Sequence, residues 1–221
     1  MQQVIKNLSR QEANELFELS FGQGTMKADR VMDFNGDYYT RETLKDTCLK
    51  AKNGDIIGYV EEAGVKIPIK KNGAYSIAPN EVYPTVTLKN KEYNKYTEKA
   101  IRKENLDEAR ELFREYFSKN SDEIPETLLN EIKLRYPDSD VVEALKTMSP
   151  TSLKSVFESS GALHENLDGT VTFMPKEIHS KIGHMGGRAL ESWVKQHMGK
   201  IHFEVFISAA ASGAVVGGAN G

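Results

Sequence analysis

Histidine is absent from the first 163 of the 221 residues, and cysteine occurs once, at Cys48. A single cysteine excludes a disulfide framework and any zinc site built from thiolates. A metal centre in this chain must therefore draw on histidine and carboxylate, and a reducing compartment suits it. Net charge is also small: 29 Lys and Arg against 32 Asp and Glu leave −3, which argues against nucleic-acid binding through the overall field. There is no uninterrupted run of the roughly 20 apolar residues that a spanning helix needs, and no stable membrane association is expected. The amino terminus lacks the basic start and apolar run of a secretory signal. What is present, 39% hydrophobic and 28% charged residues, is the composition of a globular chain that can bury one core or two small ones.

Local signals give an α+β order. Residues 9–19 open with a Ser-x-x-Glu-like start and are expected to form a helix, with a second near 40–52. The period then changes: 55–60 and 65–69 read as two strands joined across 61–64, and 82–88 as a third, with Gly73, Pro79 and Pro84 punctuating loops. From 90 to about 119 the pattern is helical, with Leu106, Ala109, Leu112, Phe113, Tyr116 and Phe117 on one apolar face that reads as core packing. Pro125 opens a helix through Leu128, Leu129 and Ile132 that must stop before Pro137. Two shorter helices, 141–147 and 151–159, lead to Gly161, and 201–207 reads as a short strand or helix before a flexible Ala/Gly tail. The expected organisation is an α+β region over 1–85, a helical segment over 86–150, a carboxy-terminal unit over 151–207 on which that helical segment packs, and the tail 208–221.

Three of the five histidines, His164, His179 and His184, fall inside residues 163–187, LHENLDGTVTFMPKEIHSKIGHMGG. Histidine both ligates transition metals and takes a proton near neutral pH, so this clustering points to one shared task at a metal and phosphate site. The segment has a readable shape. Asp168-Gly169 is a tight-turn signal, 170–174 is β-branched and aromatic, and Pro175 suits the start of a helix carrying His179. Strand, turn, strand, helix is a ββα outline. Five residues along an ideal helix rotate by about 500°, which leaves His179 and His184 about 140° apart, so they cannot share one face of a continuous helix. Gly183 is expected to end the helix and let His184 swing back, and Gly186-Gly187 to let backbone pass close to a ligand. Around these residues the local balance turns basic: Lys176, Lys181, Arg188, Lys195 and Lys200 stand against Glu177 and Glu191. Trp193, His197 and His202 lie past the motif and read as packing or surface residues.

The segment resembles the HNH/endonuclease VII superfamily, the His-Me finger nucleases, in its toxin branch with a Trp-His-His or Leu-His-His signature. Pro175, Ile178, His179, His184, Gly186 and Gly187 match the Pro-x-x-(Ile/Leu)-His-x-x-x-x-His-x-Gly-Gly half of that motif, and Leu163, His164, Asp168 and Gly169 match the upstream half. The resemblance covers about 30 residues, with a weaker similarity over 64–75, GVKIPIKKNGAY, to a segment that precedes the nuclease core in related bacterial toxins. One departure is Glu165, which stands where many members carry a second consecutive histidine.

The resemblance implies an α+β fold with a carboxy-terminal ββα-metal core and metal-dependent hydrolysis of phosphodiester bonds. It implies His164 as the base that draws a proton from water, with Glu165 and His179 also in the catalytic set. His184 and His179 are the implied metal ligands, with Glu165 as an oxygen ligand for a hard cation. The cofactor is one divalent ion, with magnesium, manganese, zinc and nickel all open. Lys181 and Arg188 are the implied phosphate contacts, on DNA ahead of RNA and without reading of bases. Toxins of this branch are delivered by specialised bacterial systems without a signal peptide, act in the target-cell cytoplasm, and meet a cognate immunity protein, expected here to be acidic. The chain opens on its own methionine without a delivery domain and reads as a detached cassette or small effector. Two other readings stand beside the nuclease: a catalytically degenerate relative that acts as an interaction protein, and a structural zinc-binding module closed by the three histidines and a carboxylate.

Overall fold

Side chains that accept from the first free backbone N–H groups set where the helices begin. Ser9 and Glu12 form a reciprocal capping box at the start of α1 (Arg10–Phe21), and Thr40 caps α2 (Arg41–Lys50). Asp140 caps α5 (Val141–Thr147), and Ser149, with Pro150 next in the first turn, caps α6 (Pro150–Ser160). Between these lie α3 (Lys99–Lys119) and α4 (Glu126–Arg135), the latter entered through Pro125. The computed structural model describes residues 9–22, 26–52, 54–71, 75–89, 99–166 and 169–184. The expected turn residue Asp168, Gly73, Gly186, Gly187, Arg188, Trp193, His197, His202, the element at 201–207 and the tail lie outside the described residues.

Among the described residues the strands form two antiparallel sheets. The first has the order β1 (Val31–Met32), β2 (Ile56–Glu62), β3 (Val65–Lys71), β4 (Tyr75–Ile77), with Tyr59 opposite Pro68 and Ile69 opposite Ile77. The second has the order β5 (Thr85–Thr87), β7 (Thr170–Met174), β6 (Ala162–Glu165), with Thr85 and His164 flanking Thr172 from either side. The strand expected within 82–88 therefore forms, but not beside the hairpin of β2 and β3. A one-turn helix at Pro79–Glu81 redirects the chain, and residue 85 enters the second sheet instead. Its partner strand lies more than 80 residues away, beyond the reach of any local pattern.

Among the described residues two apolar clusters hold these layers. One joins Phe17 and Phe21 of α1, Leu44 and Cys48 of α2, and Ile57, Ile67 and Ile69 of the first sheet to Met174, Ile178 and Ile182. The other joins Phe113 and Phe117 of α3, Leu128 and Ile132 of α4, Leu145 of α5 and Phe157 of α6 to Val86, Val171 and Phe173. Phe173 is the hub, with its ring 5.2 Å from Phe157 and 6.1 Å from Phe113. The architecture is α+β. Residues 85 and 150 both fall inside packed structure: β5 is hydrogen-bonded to β7, and α6 begins at 150 against the second cluster.

Gly161 joins α6 to β6 under a close constraint, since a Cβ there would lie 2.5 Å from the Phe173 ring and 2.9 Å from the Met174 carbonyl oxygen. Only glycine lets β6 enter the sheet against that ring. Gly169, at φ 82°, takes the left-handed conformation that closes the hairpin between β6 and β7. The Ser149 cap, one helix upstream of this hairpin, gives a modest test. Ser149→Ala is expected to cost about 1 kcal/mol, and to lower the melting temperature by about 2 to 4 °C for a chain of this size. Calorimetry checks it, and an unchanged melting temperature contradicts the capping role.

Candidate metal centre

Strand alternation on β6 decides which side chains meet. Successive strand residues point to opposite faces, so His164 and Asn166 share one face while Leu163 and Glu165 share the other. On the face of His164 the sheet is polar and buried: Asn166 Nδ2 donates to Thr170 Oγ1 at 2.9 Å and to Thr172 Oγ1 at 2.8 Å, and the Thr85 and Thr172 hydroxyls lie 2.9 Å apart. The short helix α7 (Lys176–Lys181) comes directly after β7 and anchors itself by burying Ile178, which leaves His179 beside the sheet.

The helix ends earlier than the sequence suggests. Ile182, not Gly183, caps it in an extended conformation at φ −88° and ψ 102°, and the Ile182 side chain is buried in the first cluster. Burial of that side chain pulls the chain out of the helix two residues before His184. The outcome matches the purpose expected of Gly183, because His184 returns to the site. Its Nδ1 lies 2.9 Å from the Ile182 carbonyl oxygen. A carbonyl only accepts, so Nδ1 carries the proton and Nε2 keeps its lone pair.

Three imidazoles converge. Ring centres are 4.6 Å apart for His164 and His184, 5.1 Å for His179 and His184, and 5.6 Å for His164 and His179. One ring nitrogen from each lies within 4.8 Å of the other two. Three nitrogens on a tetrahedral zinc at about 2.1 Å sit about 3.4 Å apart, so small ring rotations bring this set onto one ion. His164 Nδ1 is buried without a hydrogen-bond partner, which is costly in a site left to protein atoms alone and fits a ligand-binding role. A His triad that can hold a metal ion is thus present.

Burial favours the neutral form of all three rings. His164 is 2% exposed, and desolvation, then His184 and His179, push its pKa well below the ordinary value. Desolvation, then His184 and Arg102, lower that of His179. Desolvation lowers that of His184, against an opposing effect of the bond to Ile182. Neutral imidazole is the form that ligates a metal. It also couples stability to pH: the unfolded histidines bind protons that the folded ones refuse, so stability rises with pH through this window. In EDTA, the melting temperature is expected to be level above about pH 7.5 and to fall as pH drops through the ordinary histidine value and below. Thermal melts from mildly alkaline to mildly acidic pH test it, and His164→Gln is expected to flatten the curve. A curve with the same slope in that variant contradicts the assignment.

Of the expected site residues, the fold brings His164, His179 and His184 together and leaves Glu165 and Lys181 outside that cluster. Glu165, expected as an oxygen ligand, is not among the clustered groups, because alternation turns it to the far face, where its Oε2 accepts from Arg102 Nε at 2.8 Å. Lys181 points toward the first sheet, 3.7 Å from Glu62. Arg188 lies outside the described residues. Arg102 of α3 was not legible in the sequence. It is 62 positions before His164, and only the tertiary packing of α3 on the second sheet brings its charge near enough to be felt by His179. Among the described residues no helix is long and apolar enough to cross a membrane. Comparisons with protein-family models, with curated proteins and with solved structures found no match to the chain.

Proposed function

We propose that this chain is a metal-dependent nuclease whose centre is the triad His164, His179 and His184. The observation that carries the reading is the convergence of three imidazoles whose burial favours the neutral form, with no fourth protein ligand in that cluster among the described residues. A structural site is closed by protein on all sides, whereas a hydrolytic one keeps positions for water and substrate. The resemblance supplies the substrate class: β6, β7 and α7 run strand, strand, helix, with the matched residues Leu163, His164, Ile178 and His179 on these elements, Gly169 and Pro175 in the connections before β7 and α7, and His184 just beyond α7.

A bound divalent ion supplies Lewis-acid neutralisation of the phosphate at which the phosphodiester is cut. The chain does the rest. In this reading His164 is a third ligand rather than a free base, since it is buried and its ring meets both of the others. An all-nitrogen set suits zinc or nickel better than magnesium, whose candidacy rested on Glu165 as an oxygen ligand. Ile182 orients His184 through its carbonyl. Glu165 holds Arg102, whose 45% exposed side chain is free to meet a phosphate oxygen at the edge of the site. Arg102→Ala is expected to lower cleavage by about 10- to 100-fold, the worth of a hydrogen bond to a charged group, while leaving metal affinity intact. Single-turnover kinetics beside a metal titration check both halves, and a parallel loss of metal affinity sinks the phosphate role.

DNA is the proposed substrate ahead of RNA, and an acidic immunity protein the proposed partner, both on the strength of the resemblance. The direct test is cleavage of supercoiled plasmid by the purified chain with zinc, nickel, manganese, magnesium or EDTA. Nicking that requires metal is the expected result. Intact plasmid under every metal, from folded and metal-loaded protein, rejects the nuclease.

A further inference from the structure

We infer that Lys27 and Arg30, from the amino-terminal region, join Lys181 to form a subsite for a backbone phosphate of nucleic acid next to the metal centre; this rests on the nuclease reading. A cavity of about 270 Å³ opens between the segment 26–30 and the end of α7. Lys27, Arg30 and Lys181 line it together with Met26, Val60 and Ile182, and no carboxylate is among its walls. The wall from Ser180 to Gly183 is the stretch of chain that joins the ligands His179 and His184, which ties the cavity to the centre through a short length of backbone.

The walls are fixed relative to each other. Arg30 Nη1 donates to the Lys181 carbonyl oxygen at 3.1 Å, which ties the amino-terminal segment to the last turn of α7. Glu62 pairs with both Arg30, at 2.5 Å, and Lys181, at 3.7 Å, and offsets one of the three positive charges. Lys27 is exposed and has no carboxylate partner among the described residues. The excess of cation at the rim suits a phosphodiester. The apolar floor of Met26, Val60 and Ile182 suits the sugar that accompanies it. Contacts of this kind position a strand and carry no base preference.

The test is binding of the full-length, zinc-loaded chain to a cleavage-resistant phosphorothioate duplex, DNA and RNA of one sequence in parallel, by fluorescence anisotropy at several salt concentrations. Lys27→Glu is expected to weaken binding about tenfold at about 0.1 M salt, and to reduce the salt slope by about 0.9, the value of one phosphate contact on B-DNA. Lys27→Gln is expected to give the same loss of slope with a smaller loss of affinity. The reference is Lys50→Glu on α2, a side chain 79% exposed and paired with Asp46, which makes the same change of net charge away from the cavity. It is expected to leave the slope unchanged. If Lys27→Glu and Lys50→Glu behave alike while the wild type cleaves plasmid, the subsite is wrong and the nuclease stands. A wild type that neither binds nor cleaves overturns both.

Discussion

His184→Ala is expected to lower the affinity for a divalent metal by more than about 100-fold and to remove the proposed metal-dependent cleavage. The magnitude reflects the nature of the loss. Disturbing a group that merely orients a ligand costs about 10- to 100-fold in affinity, and here the ligand itself goes. His184 is also the nearest ring to His164, at 4.6 Å between centres, and its tautomer is fixed by the Ile182 carbonyl, so no other side chain among the described residues stands ready to replace it. His179→Ala is expected to behave in the same way. Isothermal titration with zinc measures the affinity and plasmid nicking the activity. Retention of wild-type zinc affinity in either variant removes the triad from the account.

The second large effect is on stability. A metal that binds only the folded chain stabilises it by RT ln(1 + [M]/Kd), about 4.1 kcal/mol at a concentration about 1,000 times Kd. For a chain of 221 residues this raises the melting temperature by about 8 to 16 °C over the EDTA-treated protein. The effect is large here because the ligands come from both sides of the ββα unit: His164 from an edge strand, His179 from a six-residue helix and His184 from the segment beyond it. An ion held by all three fastens a helix too short to be stable alone. The shift is expected to vanish in His164→Ala. An equal shift in that variant assigns the stabilisation to adventitious binding elsewhere.

Much of this was legible locally. Ser9 with Glu12, Thr40, and Pro125 announced helix starts, and β2 and β3 alternate clearly enough to be read as a hairpin. The histidine spacing announced a common site and even the need to leave the helix between His179 and His184. What the spacing could not say is that a buried isoleucine, and not the glycine after it, makes the exit. Strands β1 and β4 are two and three residues long, too short for any period to show. The pairing of β5 with β7 and the approach of Arg102 to His179 depend on contacts made across more than 60 residues. Glu165, implied as an oxygen ligand by its place in the motif, pairs with Arg102 instead, because neighbours on a strand face apart.

The central claim is that three histidines hold one metal and leave it open to a phosphate. Titration of the metal-free chain with cobalt(II), monitored by absorption before and after addition of inorganic phosphate, tests this most directly. The account predicts one equivalent bound, a spectrum of nitrogen and oxygen ligation that phosphate perturbs, and loss of that spectrum in each of His164→Ala, His179→Ala and His184→Ala. One equivalent bound with a spectrum indifferent to phosphate would mark a closed structural site and contradict the claim.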